Sequence, residues 1–345
     1  RLAVDTEFVR TNTYYSRPGL IQIADRQQVF LVDPTVFSTQ QLQPLGDILF
    51  APDMQLLMHS AGEDLDVFLG LWKRLPSNLF DTQIAAAFCG YGEQVGYARM
   101  VKDICDVALP KAFTRTPWCR RPLSEAEVQY ALDDVHYLGM LYETLREALR
   151  DHGREVWQSD DCAALVSEAS LRKAENAAIE KVIRACAGMD RVSQSVAASL
   201  ARWREDLARR KDRPREWLVS TETLIEIART RPKNQQDLSA ATGLEKGTLK
   251  RRGEEILGVI RMSETPDPDF VALPRPTKPD AAQKALGNAL WKYLGEVCER
   301  AGVPTSAIAP RDEIRALAAG KRNLRVLSGW RRTFVGESLL ERVGP

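Results

Sequence analysis

The chain opens with Arg1-Leu-Ala-Val-Asp5-Thr-Glu7-Phe-Val-Arg10, an apolar stretch that carries two carboxylates. This pattern predicts a β-strand, on which side chains two positions apart point to the same face. Asp5 and Glu7 are therefore expected side by side. Two like charges so close repel each other, and a divalent cation relieves the repulsion because hard cations prefer carboxylate oxygen. An exposed polar strand edge explains a lone Asp-x-Glu equally well, so the interpretation depends on the rest of the chain.

The sequence that follows predicts a mixed sheet. Two short apolar segments with tight connections continue the first strand as an antiparallel meander. Two later segments alternate with helical patterns, and a meander followed by such alternation indicates an α/β domain. The four segments occupy residues 20–24, 27–32, 55–59 and 79–82.

A second acidic cluster lies in His59-Ser-Ala-Gly-Glu-Asp64-Leu-Asp, where a predicted strand ends and a helix begins. Carboxylates in the first turn of a helix are favoured by its dipole, which accounts for Asp64 without any function. Loops after the carboxyl ends of strands are also where α/β folds place their sites. We do not assign His59 as a ligand; its position suits the turn before Asp64.

A third cluster lies on a helix that the capping-box spacing of Ser124 and Glu127 predicts. On that helix Tyr130 and Asp134 are four residues apart and share one face. A tyrosine beside an aspartate is common on helix surfaces, so this pair alone indicates little.

Together, Asp5-x-Glu7, Asp64 and Tyr130-x-x-x-Asp134 resemble the three exonuclease motifs of the DEDD superfamily, in its tyrosine-containing branch. Wider segments of residues 1–150 resemble the ribonuclease D family, which implies a ribonuclease-H-like α/β domain with a mixed sheet. Those segments are Val4–Arg10, Tyr14-Tyr15, Gly19-Leu-Ile-Gln22, His59–Leu65, Phe80-Asp81-Thr-Gln83 and Trp118-Cys-Arg-Arg-Pro-Leu123.

The resemblance implies a chemistry. Asp5, Glu7, Asp64 and Asp134 would hold two divalent metal ions, Mg²⁺ or Mn²⁺, which together hydrolyse a phosphodiester. Tyr130 would complete the catalytic set by orienting the attacking water, since a phenol with a pKa near ~10 is a poor base at neutral pH.

Four further residues are expected to meet the substrate. Phe8 would stack against the terminal base, although a core aromatic is an equal alternative. Thr6 lies beside it on the same strand. Lys111 and Arg121 would contact the RNA backbone, although basic loops are more commonly solvated.

The remaining chain divides into predicted modules. Residues 193–262 resemble the helical HRDC module, and a looser version of the same pattern follows a segment with five prolines, so two all-α HRDC-like domains are expected after the nuclease domain. The connector before them is expected to be helical, with a short non-helical start near residues 159–161. The predicted divisions are 1–150, 151–192, 193–262, 263–280 and 281–345.

Charge and composition agree with this organisation. Residues 1–150 carry a net charge of −5, whereas residues 193–262 and 281–345 carry +5 each. An acidic front joined to two basic modules suits a metal-dependent enzyme that acts on a polyanion. No apolar run approaches the length of a membrane span. The six cysteines are scattered without metal-ligand spacing, which favours the reducing cytoplasm.

The resemblance therefore implies a 3′–5′ exoribonuclease, which is expected to be a cytoplasmic monomer. The family points to RNAs with a single-stranded 3′ end as substrates, tRNA precursors above all, and to nucleoside 5′-monophosphates as products. A 3′–5′ DNA exonuclease is the alternative within the enzyme class, because no residue identifies a 2′-OH reader. A non-catalytic RNA-binding protein on a nuclease fold is the alternative outside it, and the complete carboxylate set argues against it.

Overall fold

The computed structural model describes residues 1–110 and 116–344, and for residues 168–175 it describes the backbone alone. A five-stranded sheet has the order β3-β2-β1-β4-β5. The first three strands pair antiparallel, and β4 and β5 run parallel to β1. The predicted mixed sheet is confirmed. Its strands are β1 (Leu2–Val9), β2 (Arg17–Ala24), β3 (Val29–Val32), β4 (Leu56–Met58) and β5 (Leu79–Asp81).

Among the described residues, seven α-helices lie between Gln43 and Leu165. Ser124 and Glu127 form the predicted capping box at the start of α5, with both reciprocal hydrogen bonds present. The helices are α1 (Gln43–Leu49), α2 (Gly62–Trp72), α3 (Thr82–Phe88), α4 (Tyr97–Cys105), α5 (Glu125–His136), α6 (Leu138–Asp151) and α7 (Glu155–Leu165).

Successive side chains of β1 point to opposite faces of the sheet and therefore pack into two different cores. Val4 packs into the core that contains Phe68 and Trp72 of α2. Ala3 packs into the core that contains Val135 of α5 and Leu141 of α6. Asp5 and Glu7 are two and four positions after Ala3, so their side chains point to the same face of the strand, which α5 covers. The sheet and α5 thus determine where the acidic side chains meet.

The predicted non-helical start near residues 159–161 is wrong, because α7 runs through it without interruption. One buried partner explains why Asp161 is tolerated there. The Arg331 guanidinium donates to both carboxylate oxygens of Asp161, at 2.6 Å each. A bidentate pair of this kind offsets the low helix propensity of aspartate. The break instead falls at Val166 and Ser167, before α8 (Glu168–Ala185).

The chain forms two compact units. Unit 1 comprises residues 1–9, 17–167 and 279–345, so the last helices share a unit with the sheet. Trp330 stacks on Trp157 with ring centroids 4.2 Å apart, and Phe88 meets both rings edge to face. These helices are α14 (Ala281–Ala301), α15 (Thr305–Ile308), α16 (Arg311–Ala318), α17 (Gly329–Arg331), a π-helical stretch (Arg332–Gly336) and α18 (Glu337–Val343).

Unit 2 comprises residues 10–16 and 168–278. Its helices α8, α9, α11, α12 and α13 enclose a core of aliphatic side chains that includes Leu200 and Ile256. Gln194 ties the proline-rich segment to this unit, accepting from the backbone N–H of Leu273 and donating to its carbonyl. The helices after α8 are α9 (Arg191–Lys211), α10 (Arg215–Leu218), α11 (Thr221–Thr230), α12 (Gln235–Thr242) and α13 (Lys246–Ser263).

No helix among the described residues is both long and apolar enough to cross a membrane.

Candidate active site

Three carboxyl groups from two elements converge at one end of the sheet. Asp5 and Glu7 come from β1, and Asp134 comes from α5, which packs against β1. One ligand oxygen from each of the three lies within 4.8 Å of the others, and all three residues are half-buried. Carboxylate oxygens at this spacing suit a hard divalent cation.

The fourth expected ligand, Asp64, lies in the first turn of α2 and is 6% exposed. Its Oδ1 accepts a hydrogen bond from the backbone N–H of Thr6 at 3.0 Å and another from the Thr6 hydroxyl. These contacts turn Asp64 toward the strand rather than into the three-carboxylate cluster. The side chain remains close enough to raise the pKa of both Asp5 and Glu7 by its charge.

The pKa values show how strongly this site disfavours negative charge. Burial, followed by the charges of Asp134 and Asp64, raises the pKa of Glu7 to about 9. Burial and the same neighbours raise the pKa of Asp5 well above its ordinary value. Burial also raises the pKa of Asp64 and of Asp134 to about 7 each. Groups that are hard to ionise alone ionise readily beside a cation, so the donor set fits a divalent metal.

Tyr130 lies one helical turn before Asp134 and shares a hydrogen bond with it. Burial and the neighbouring Asp134 carboxylate raise the Tyr130 pKa above its usual range, so the phenol keeps its proton. Trp118 stacks on the Tyr130 ring at 6.0 Å and hydrogen-bonds Glu7. The tyrosine is thus held as a hydrogen-bond donor rather than a base.

Asp81 is a residue whose role the sequence reasoning missed. It is 1% exposed, and its carboxylate accepts from the backbone N–H groups of Ser60 and Ala61, at 3.1 and 2.8 Å. It also accepts from those of Gln83 and Ile84 at the start of α3. Ser60 has a left-handed φ of +60°, which costs energy for a residue other than glycine. Asp81 therefore holds the turn from which α2 carries Asp64.

Two more side chains support the same region. Gln22 is fully buried opposite Asp5 in the β1–β2 register, with its Nε2 3.5 Å from an Asp5 oxygen. His59 Nδ1 lies 2.9 Å from Thr82 Oγ1, and its Nε2 lies 3.0 Å from the Val95 carbonyl. Both ring nitrogens of His59 are engaged, in agreement with a role in the turn. Polar residues inside the apolar segments 20–24 and 79–82 were the signals that could have identified Gln22 and Asp81.

The four expected substrate contacts have different surroundings. Phe8 is half-buried, just after a register shift between Glu7 and Phe8 in the β1–β2 pairing. Thr6 is buried and bonds Asp64, as described above. Arg121 pairs with Asp33 and also donates to the carbonyl of Gly19, which favours a structural role. Lys111 lies outside the described residues. Their roles toward a substrate stay predictions.

Comparisons with known proteins agree with this site. Residues 1–150 match the family model described as a 3′-5′ exonuclease, and residues 193–260 match the HRDC domain. The ribonuclease D of Pseudomonas paraeruginosa is 32% identical, covering 98% of this chain and 91% of the relative. That of Gluconacetobacter diazotrophicus is 35% identical, covering 98% and 86%.

A solved structure extends the likeness to the whole chain. The crystal structure of Escherichia coli RNase D, described as an exoribonuclease involved in structured RNA processing, has a TM-score of 0.85 and 30% identity. The match covers 99% of this chain and 92% of that one. Members of the DEDD exonuclease family depend on metal ions. The chain therefore belongs to the ribonuclease D family and is a 3′–5′ exoribonuclease.

Proposed function

We propose that this exoribonuclease trims RNAs with a single-stranded 3′ end, tRNA precursors in particular. We propose further that Asp5, Glu7, Asp64 and Asp134 hold two divalent cations, Mg²⁺ or Mn²⁺. The observation that carries the proposal is the cluster of Asp5, Glu7 and Asp134, whose ligand atoms lie within 4.8 Å of one another. Asp64 joins it through a change of side-chain rotamer.

When bound, such a pair of ions supplies an activated water and neutralises the charge that develops on the phosphate and on the leaving 3′ oxygen. The chain's own residues do the rest. Tyr130 donates a hydrogen bond that orients the attacking water, since its phenol remains protonated. Because the bond to the 3′ oxygen breaks, each released nucleotide keeps its 5′ phosphate. Phe8 and Thr6 would position the terminal nucleotide.

The preference for tRNA precursors is supported by charge and by kinship. The net charges of +5 on residues 193–262 and on residues 281–345 suit a folded polyanion. The Escherichia coli relative is described as processing structured RNA. We retain the domain division 1–150, 151–192, 193–262, 263–280 and 281–345 as part of this proposal.

We also propose that the protein is a cytoplasmic monomer. All six cysteines are free thiols, as suits a reducing compartment. Light scattering should give a mass near 38.7 kDa, and twice that mass would contradict the monomer.

The substrate and metal proposals can be tested together. Labelled tRNA precursors with and without a 3′ trailer are incubated with the protein and Mg²⁺ or Mn²⁺, and products are identified by chromatography. We expect the trailer to be removed as nucleoside 5′-monophosphates. Calorimetric titration with Mn²⁺ should give two bound ions per chain. If a blunt-ended RNA is degraded as fast as the RNA with a 3′ trailer, the substrate proposal is wrong. If only one Mn²⁺ binds per chain, the two-metal proposal is wrong.

A further inference from the structure

A polar cavity lies within unit 2 and is assigned to no activity. Its volume is about 370 Å³, within the range of ligand pockets. Residues 10–14 line one part of it, α8 another, and the region around α10 the rest. Among the described lining residues, four are cationic and one is acidic: Arg10, Lys181, Arg204, Arg215 and Glu216.

Arg204 is the most unusual of these residues because its guanidinium is buried and one of its N–H groups lacks an acceptor among the described residues. It is 2% exposed. Its Nη1 donates to Glu216, the Val219 carbonyl and Thr221. Its Nε is buried and has no acceptor among the described residues. A buried N–H group of a cation is costly without an acceptor, and a bound anion would supply one.

Arg215 and Lys181 line the same cavity and have N–H groups that form no hydrogen bond to a described residue. Arg215 uses Nε and Nη2 on Glu205 and on the Tyr14 hydroxyl, so its Nη1 is without an acceptor among the described residues. Lys181 is exposed and makes no ion pair with any described side chain. Glu216, the acidic residue among the described lining residues, accepts hydrogen bonds from the backbone N–H and the hydroxyl of Thr221 and forms an ion pair with Arg204.

We propose that this cavity binds a phosphate group, supplied by the backbone of a polynucleotide. Guanidinium and ammonium groups that converge with unused donors are the chemistry that recognises a phosphate. Trp217 follows Arg215 on α10 and is 63% exposed, so it offers a face on which a base can stack. The choice of RNA as the polynucleotide rests on the proposed function; the phosphate site itself does not. A free nucleotide carries the same group and is distinguished below.

Ala178 provides the sharpest test because it lines the cavity and has a matched neighbour. Ala178→Glu places a carboxylate at the cavity, whereas Ala177→Glu puts the same charge on the same helix at an exposed position outside the lining. The full chain in EDTA, which prevents cleavage, is titrated into a fluorescent single-stranded RNA. We expect Ala178→Glu to weaken binding about tenfold and Ala177→Glu less than twofold. Equal losses, in variants with unchanged circular dichroism, would overturn the site.

A second pair of variants measures the number of phosphate contacts. Lys181→Ala should lower the slope of log affinity against log salt by about 0.7, as expected for one contact to a single strand. Lys250→Ala, an exposed lysine of α13 outside the lining, should leave the slope unchanged. An unchanged slope in Lys181→Ala would contradict a role for this cavity in RNA binding.

Adenosine monophosphate is the probe for the other source of the phosphate. If Ala178→Glu abolishes binding of this nucleotide but leaves RNA binding intact, the polynucleotide assignment is wrong. All of these titrations are made without metal and without turnover. A failure to trim tRNA precursors would therefore overturn the proposed function and leave the cavity result standing, and the reverse also holds.

Discussion

At the scale of single residues, charge repulsion dominates the nuclease centre. Asp5 and Glu7 share one strand face, and Asp134 approaches them from a helix. Without a cation the protein lowers this repulsion by keeping protons, as the raised pKa values of Glu7 and Asp134 show. Protons and divalent metal therefore compete for the same oxygens.

The metal-free protein should lose stability as the pH rises. The Glu7 pKa is about 9 in the folded protein against 4.5 for an ordinary glutamate. Between pH 4.5 and about 9 the folded state therefore binds more protons at Glu7 than the unfolded state does. The contribution of Glu7 to the stability is fully present below pH 4.5 and is lost as the pH rises toward 9. We expect a loss on the order of a few kcal/mol, measured by urea unfolding in EDTA. A flat profile over this range would contradict the account.

Asp5→Asn removes one of the repelling charges and one of the proposed metal ligands. In EDTA at pH 8 the variant should be more stable than the wild type, because one fewer buried charge must form. With Mn²⁺ the order should reverse, since metal affinity falls by at least about 100-fold. Thermal unfolding with and without Mn²⁺ measures both effects. A variant that is stabilised by Mn²⁺ as much as the wild type would show that Asp5 is no ligand.

Tyr130→Phe separates positioning from binding. It removes the hydroxyl but keeps the ring that stacks on Trp118. We expect kcat to fall about 100-fold, as for the loss of one positioned donor, while KM and Mn²⁺ affinity remain unchanged. Single-turnover kinetics on a tailed RNA give the rate. A fall in metal affinity as large as the fall in kcat would assign Tyr130 a structural role instead.

At the scale of elements, the turn between β4 and α2 depends on Asp81. Its carboxylate is 1% exposed and accepts hydrogen bonds from four backbone N–H groups of two turns. Asp81→Ala should cost about 3 kcal/mol of stability and weaken metal binding, because four donors lose their acceptor and α2 loses its anchor.

Asp280→Ala is the matched control for Asp81→Ala. Asp280 caps α14, with a capping-box partner in Gln283. Losing this cap should cost about 1 kcal/mol and leave Mn²⁺ affinity unchanged. If Asp81→Ala and Asp280→Ala affect Mn²⁺ affinity equally, Asp81 does not position Asp64.

Local sequence signals accounted for most elements but not for their long-range partners. The alternation in residues 1–10 and the capping box at Ser124 are encoded within a few residues, so the strand, the helix and the pairing of Tyr130 with Asp134 could be predicted. The role of Asp81 could not, because its donors come from a separate turn. The helical state of residues 159–161 depends on Arg331, which lies 170 positions from Asp161.

At the scale of the whole molecule, the C-terminal helices belong to the same compact unit as the sheet. Their attachment rests on the stacked pair Trp157 and Trp330 and on the Asp161–Arg331 pair. Helical periodicity predicts the helices of residues 281–345, but it does not reveal what those helices pack against.

Asp161→Asn tests this attachment. The Arg331 side chain is 4% exposed, and removing its charged partner should cost about 3 kcal/mol. Denaturant unfolding of the full chain, followed by tryptophan fluorescence, measures the loss. Asp47→Asn breaks a more exposed pair, in which the side chain of Arg74 is 46% exposed and that of Asp47 is 67% exposed, and it should cost less than about 1 kcal/mol. If both variants lose the same free energy of unfolding, the buried Asp161–Arg331 pair stabilises the protein no more than an exposed pair does.

We expect the carboxylate cluster to give this chain a metal-dependent 3′–5′ activity on RNA. The most direct measurement incubates the wild type and Asp5→Asn with a tailed tRNA and a DNA of the same sequence, with Mn²⁺ or with EDTA. We expect the wild type to shorten the RNA stepwise from its 3′ end with Mn²⁺ but not with EDTA, and we expect Asp5→Asn to abolish this activity. Shortening that persists in Asp5→Asn, or that is equally fast on DNA, would contradict it.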